Sequence, residues 1–153
     1  MTLGQTTASL SSVAAQQYRI LQRMGVPVEP DPRRADVVID ALIGYSLRGS
    51  PRGRIGELIG GIGDAGGSIV SLDTPSGVNV TDGSVPGLAV SADATMTLAL
   101  PKVGLRNASQ LGALYLADIS VPPSVYTAMG VGPVPDFSRS SILRLVDSES
   151  TTE

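Results

Sequence analysis

Two aspartates each close an apolar run, and each is followed by a turn. Asp40 ends DVVID at 36–40 and leads into Ala41-Leu42-Ile43-Gly44. Asp73 follows Gly67-Ser68-Ile69-Val70-Ser71-Leu72 and opens Asp73-Thr74-Pro75-Ser76-Gly77. Pro75 fixes its own φ and biases Thr74 towards extended backbone, while Gly77 permits a sharp or left-handed turn. The result is a rigid presentation of the Asp73 carboxylate and the Ser76 hydroxyl. A carboxylate at an apolar sheet edge serves as general acid or base once burial raises its proton affinity. The same residue in the same place also serves as a turn cap. Asp40, Ser76 and neighbouring carbonyls are oxygen ligands of the sort a hard cation takes.

Between the two aspartates lies Gly44-Tyr45-Ser46-Leu47-Arg48-Gly49-Ser50-Pro51-Arg52-Gly53. Exposed amides, hydroxyls and two guanidiniums in ten residues suit a phosphate or another polar ligand. An ordinary glycine-rich connection solvated by arginine reads equally well. Lys102, in Leu100-Pro101-Lys102-Val103-Gly104, is a further cation at a strand end, placed either to touch a ligand or to stand in solvent. Gly61-Ile62-Gly63-Asp64-Ala65-Gly66 matches the dinucleotide fingerprint in letters only. That fingerprint needs a strand before it and a helix after it, and here the order is reversed, so it reads as a helix end.

The elements that must hold these groups follow from periodicity. Residues 9–24 bring Leu10, Val13, Ala14, Leu21 and Met24 near one helical face, with Gly25 as a stop. Ile55, Leu58, Ile59 and Ile62 have the i, i+3, i+4, i+7 spacing of a second helix. Strands are predicted at 35–40, 67–72, 93–100 and 112–119. Runs that are apolar throughout, joined in part by helices, point to a parallel sheet covered on both faces. In such a sheet the binding crevice lies beyond the carboxyl ends of the strands, where Asp40 and Asp73 both sit.

Composition narrows the function. With 153 residues, 42% of them hydrophobic, the chain can build one core. It has no cysteine and no histidine, which removes disulfides, thiolate catalysis, the Ser-His-Asp arrangement and most catalytic zinc sites. A net charge of −3 and 3% aromatics argue against a nucleic-acid or anionic-membrane partner. The N-terminus carries neither a basic segment nor a continuous apolar stretch of the secretory kind, and a soluble cytoplasmic protein is expected. Beyond residue 138 the chain is rich in Ser, Asp and Glu. There a polar, disordered tail over 139–153 is expected, save for a short piece around 142–146.

Taken in order, DVVIDALIGYSLRG at 36–49, SIVSLDTPSGVNVTDG at 68–83, ADATMTLALPKVGL at 92–105 and LGALYLADISVP at 111–122 resemble the NAD(P)H-hydrate epimerase family, the YjeF N-terminal domain. The resemblance covers residues 10–125 or so. It implies a Rossmann-like three-layer α/β/α fold with a mostly parallel sheet over residues 1–138, often dimeric. It implies an isomerase of metabolite repair that interconverts the R and S epimers of hydrated NADH and NADPH, working alongside an ADP- or ATP-dependent dehydratase. Carried over by motif, Asp40 and Ser76 would be ligands of a potassium ion. Gly44, Tyr45, Ser46, Leu47, Arg48, Gly49 and Ser50 would face the substrate, and Asp73 would contact it as the acid/base group. The family's Asn/Gly-rich loop at an early strand–helix junction is absent, so the sheet is expected to be incomplete at its N-terminal side, with exposed apolar surface there. A second copy or a complementary N-terminal chain would cover it. The alternative is an inactive nucleotide-binding or protein-interaction module on the same scaffold.

Overall fold

The structure, a computed structural model, describes residues 1–45, 47–132 and 134–146. The chain runs α1 (Ser12–Arg23), β1 (Val37–Asp40), α2 (Gly53–Gly61), β2 (Ser68–Leu72), β3 (Ala94–Leu98), β4 (Ala113–Ala117), α3 (Pro123–Ala128) and β5 (Ile142–Arg144). The strands form one sheet in the order β1-β2-β3-β4-β5. The first four are parallel, and β5 returns antiparallel to β4. This is the expected α/β fold with a mostly parallel sheet. The predicted strands and both predicted helices are present. Sequence periodicity had not marked α3, which has a single turn and a half of helix behind a proline.

α1 begins where the Ser11 hydroxyl accepts a hydrogen bond from the Ala14 amide, 3.3 Å away, and ends at left-handed Gly25. The fingerprint-like glycines are a helix end, as expected: α2 runs into a 3-10 turn at Ile62–Ala65, and Gly66 at φ +78° starts the approach to β2. The piece anticipated around 142–146 is β5, so this part of the polar stretch belongs to the sheet. Asp147, Glu149 and Glu153 lie outside the described residues.

Register decides which side chains share a face. Val38, Asp40, Ile69, Ser71, Thr95, Thr97, Leu114 and Leu116 lie on one side. Strands laid down in chain order, each joined by a right-handed crossover, put all their connections on one face. Burial agrees. Ile59 and Ile62 from the α2 region and Val90 from the loop after β2 form a core on that face, with Val38, Leu42, Ile43, Ile55 and Ile69 packed around it. Each of the three buried side chains, Ile59, Ile62 and Val90, contributes roughly 1.5–3 kcal/mol.

The other face is thinly covered at the β1 side. Val37 and Ile39 are 54% and 61% exposed on an edge strand. An open groove of about 960 Å³ runs along this edge, from Met1–Gln5 past Val37 and Ile39 to Ala41–Gly44. Among the described residues, no helix is long and apolar enough to cross a membrane.

Candidate active site

Asp40 is the last residue of β1, in register with Ser71 of β2 on the covered face, and it is fully buried. A charge taken wholly out of water must be met by donors. The Ser71 hydroxyl and the Ser76 amide donate to Oδ2 at 2.7 and 2.8 Å. The Ser76 hydroxyl and the Leu42 amide donate to Oδ1 at 2.6 and 3.4 Å. Ser76 Oγ in turn accepts from the Ile43 amide at 3.0 Å. One carboxylate therefore ties the loop after β1 to the loop after β2.

Asp73 is the first residue beyond β2, and it is built differently. Its amide donates to Met96 O at 2.8 Å, which prolongs the ladder with β3 by one step. Its φ of +70° is left-handed, a conformation that costs a non-glycine residue roughly 1–3 kcal/mol and tends to cluster at functional sites. Ala99 after β3 is left-handed too, at φ +64°. The chain doubles back there, so that the Lys102 ammonium donates to Asp73 Oδ1. The ammonium also donates to Leu98 O at 2.9 Å and to Thr97 Oγ1 at 3.2 Å, and the Leu98 amide donates to Asp73 Oδ1 at 3.3 Å. The pair is only partly screened from water, with side chains 20% and 22% exposed.

The loop after β1 closes on this carboxylate. A Cβ built on Gly44 would lie 3.8 Å from Asp73 Oδ2, so the side of the glycine left bare of a side chain is turned towards that oxygen. Oδ2 accepts no hydrogen bond from any described residue. Leu47 donates its amide to Gly44 O at 3.2 Å, Gly49 is left-handed, and Ser50 packs where a side chain on Gly87 would stand. Tyr45 and Arg48 are exposed. Ser46 lies outside the described residues.

The structure thus gathers Asp40 with Ser76, and Asp73 with Gly44, across the ends of β1 and β2. Two partners were not singled out in the sequence as parts of this site. Ser71, a hydroxyl inside an apolar strand run, was the available signal for the first. The second is Lys102, for which the sequence favoured a solvated position, and which instead lies on Asp73.

A potassium ion held by Asp40 and Ser76 does not fit this arrangement. Both Asp40 oxygens already accept two hydrogen bonds each, and the Ser76 hydroxyl both donates and accepts. The orphan nearby is Thr74 Oγ1, buried without a partner, alone in this among the described residues.

An open, mostly parallel sheet with its loops gathered over the carboxyl ends of the strands, and a partly exposed Asp–Lys pair at that edge, defines an α/β protein of the class that binds ligands beyond the carboxyl ends of its strands. Residues 1–104 match the family described as YjeF-related protein N-terminus, and the chain belongs to that family. It is 43% identical over 145 residues to the NAD(P)H-hydrate epimerase of Dehalogenimonas lykanthroporepellens, covering 92% of this chain and 59% of that protein. It is 40% identical to the NAD(P)H-hydrate epimerase of Truepera radiovictrix, covering 62% of this chain and 43% of that one. The bifunctional NAD(P)H-hydrate repair enzyme Nnr of Hyperthermus butylicus is 37% identical, with 85% of this chain matching 25% of its length. The crystal structure of the yeast protein ynu0, YNL200c, superposes with a TM-score of 0.72 at 21% identity, over 90% of this chain and 62% of that one. The chain spans a little over half, or less, of the length of these relatives.

Proposed function

We propose that this chain epimerises the R and S forms of hydrated NADH and NADPH. One observation carries the reading: Asp73 presents a carboxylate oxygen, without a partner among the described residues, towards Gly44, at the sheet edge of a chain 43% identical to a named NAD(P)H-hydrate epimerase. Asp73 is the group that handles the proton. In its protonated form Asp73 gives the Oδ2 proton to the hydroxyl on the hydrated ring carbon, the C–O bond breaks with the ring nitrogen's electron pair filling in, and water departs, leaving Asp73 as the carboxylate. Water then adds to the opposite face and returns its proton to the same oxygen. Bond and charge balance close without a redox change or a second substrate.

The loop from Gly44 to Ser50 holds the rest of the molecule. Gly44 keeps the approach to Asp73 free of a side chain, and the exposed Arg48 offers a fork to a phosphate of the dinucleotide. Tyr45, Ser46, Leu47, Gly49 and Ser50 complete that contact. No step is assigned to potassium, since Asp40 and Ser76 are engaged with each other. The enzyme would work in the cytoplasm beside an ADP- or ATP-dependent hydrate dehydratase; that a relative in Hyperthermus butylicus is a bifunctional NAD(P)H-hydrate repair enzyme supports a second repair activity as its companion. A second copy or a complementary N-terminal chain would cover Val37 and Ile39.

A second reading has one observation in its favour. The exposed β1 edge and its groove suit an interaction module that binds without catalysis. Epimer exchange separates the two: the purified chain is mixed with one separated NADPH-hydrate epimer, and the other is followed by chromatography against the spontaneous rate. Acceleration that vanishes in Asp73→Asn is the expected result. A folded chain that accelerates nothing leaves the module.

A further inference from the structure

Lys102 is the only lysine in the chain; the other ten basic residues of the eleven are arginines. It sits at the candidate site, and two roles are open to a lysine there. It can donate a proton or a hydrogen bond to the ligand, or it can hold another group in place. The hydrogen-bond inventory decides between them. An ammonium has three N–H donors and no acceptor. Here the acceptors number three as well: Asp73 Oδ1, Leu98 O and Thr97 Oγ1. Thr97 is itself fully buried on the covered face of β3, so this end of the lysine is anchored in the core. The ammonium has no N–H left for a ligand.

The same inventory divides the two oxygens of Asp73. Oδ1 accepts from Lys102 and from the Leu98 amide, while Oδ2 accepts from no described residue and faces Gly44. A carboxylate free to rotate would present either oxygen. With Oδ1 fastened at two points, rotation is blocked and only Oδ2 turns towards the loop. The backbone is arranged for the same end, because the two left-handed residues Asp73 and Ala99 flank the pair, and both must stay strained to bring it together.

We infer that Lys102 is the positioning residue of this site, fixing the Asp73 carboxylate by Oδ1 so that Oδ2 alone meets the substrate. Asp73 then exchanges protons through one defined atom at a defined angle, and Lys102 touches the reaction only through it. A guanidinium does this work less well. Its planar fork carries five donors in a fixed plane, whereas the three acceptors here are arranged around a point. That accounts for a lysine at this position in a chain that otherwise uses arginine. The inference rests on the epimerase reading above, and two measurements keep their failures apart.

The first needs no activity. With lysine as the only 15N-labelled residue type, the folded chain carries one side-chain ammonium, and a group held by three acceptors should give a protected 1H–15N signal near neutral pH. Asp73→Asn should broaden it beyond detection. A wild-type ammonium exchanging as fast as free lysine would overturn the inference. The second is epimer exchange by the wild type, Lys102→Met and Lys102→Arg. Lys102→Met should lower kcat about a hundredfold while KM stays within about a factor of two, because binding is kept and only the proton-handling oxygen is lost. Lys102→Arg should recover about a tenth of the wild-type kcat, by keeping the charge with poorer geometry. An active wild type matched in kcat by Lys102→Met would overturn the inference alone. A wild type without acceleration would overturn the epimerase reading and this inference with it.

Discussion

Asp40 and Asp73 stand at the ends of neighbouring strands, yet the chain treats them in opposite ways. Asp40 is sealed, with four donors shared between its two oxygens and no exposure. Asp73 keeps one oxygen for a lysine and a backbone amide and leaves the other facing a glycine. A buried carboxylate with every lone pair engaged is a structural joint, because removing it strands several donors at once. A partly exposed carboxylate with one oxygen in reserve is a chemical group. Position at a strand end is common to both; what differs is how many donors the surrounding loops supply.

The comparison can be broken most sharply at Asp73. Asp73→Asn should reduce epimer exchange by roughly 10²–10⁴-fold, the range a general acid–base group contributes, while the thermal midpoint moves little. Full activity in that variant would remove Asp73 from the chemistry. Asp40→Ala should behave in reverse, destabilising the fold by about 3–5 kcal/mol in urea denaturation, because the Ser71 and Ser76 donors lose a buried acceptor. A loss below about 1 kcal/mol would mean that water reaches the site and the joint is weaker than its geometry implies.

Two glycines sharpen the same contrast at smaller scale. Gly77 is left-handed at φ +101°, and a Cβ on it would come within 2.2 Å of Leu88 O, so Gly77→Ala should cost about 2–4 kcal/mol of stability. Gly44→Ala meets only Asp73 Oδ2, at an ordinary 3.8 Å, and should leave stability within about 0.5 kcal/mol. Its effect should fall on exchange kinetics, which a paired melt and rate assay would separate. Smaller again is the response to potassium. If Asp40 and Ser76 satisfy each other, replacing potassium by choline at constant ionic strength should leave the melting temperature unchanged, whereas a bound ion would raise it.

The smallest effect belongs to an aspartate outside the pair. The Ser84 hydroxyl and amide hold the carboxyl of Asp82 below its ordinary value of 3.8. A group with a depressed folded value contributes stability above its unfolded value and loses it as pH falls through the folded one. Wild type should therefore lose slightly more stability than Asp82→Ala between pH 5 and pH 2. Melts of the two across that window check it, and parallel curves would mean the turn contributes nothing measurable.

Much of this was readable in the sequence. Apolar runs of four to eight residues bounded by Gly, Pro and Asp marked β1 to β4. The helical spacing of Ile55, Leu58, Ile59 and Ile62 marked α2 and the turn after it. The piece around 142–146 stood apart from the polar stretch without showing its type, and it becomes the strand β5 because β4 offers it an edge. Lys102 was harder. A lone lysine after a proline looks solvated until the left-handed turn at Ala99 sends it back onto Asp73.

What the sequence determined by itself was local: which segments are strands, where they stop, and that each of two strands ends in a rigidly presented carboxylate. Those properties follow from side-chain periodicity and from the restricted dihedrals of proline and glycine, which act over a few residues. Which carboxylate is sealed and which is open was decided only by the tertiary structure. Ser71 and Ser76 meet Asp40 across separations of 31 and 36 residues, and Lys102 meets Asp73 across 29. The β1–β2 and β2–β3 registers set those meetings, and register is a property of whole strands packing one face against a core.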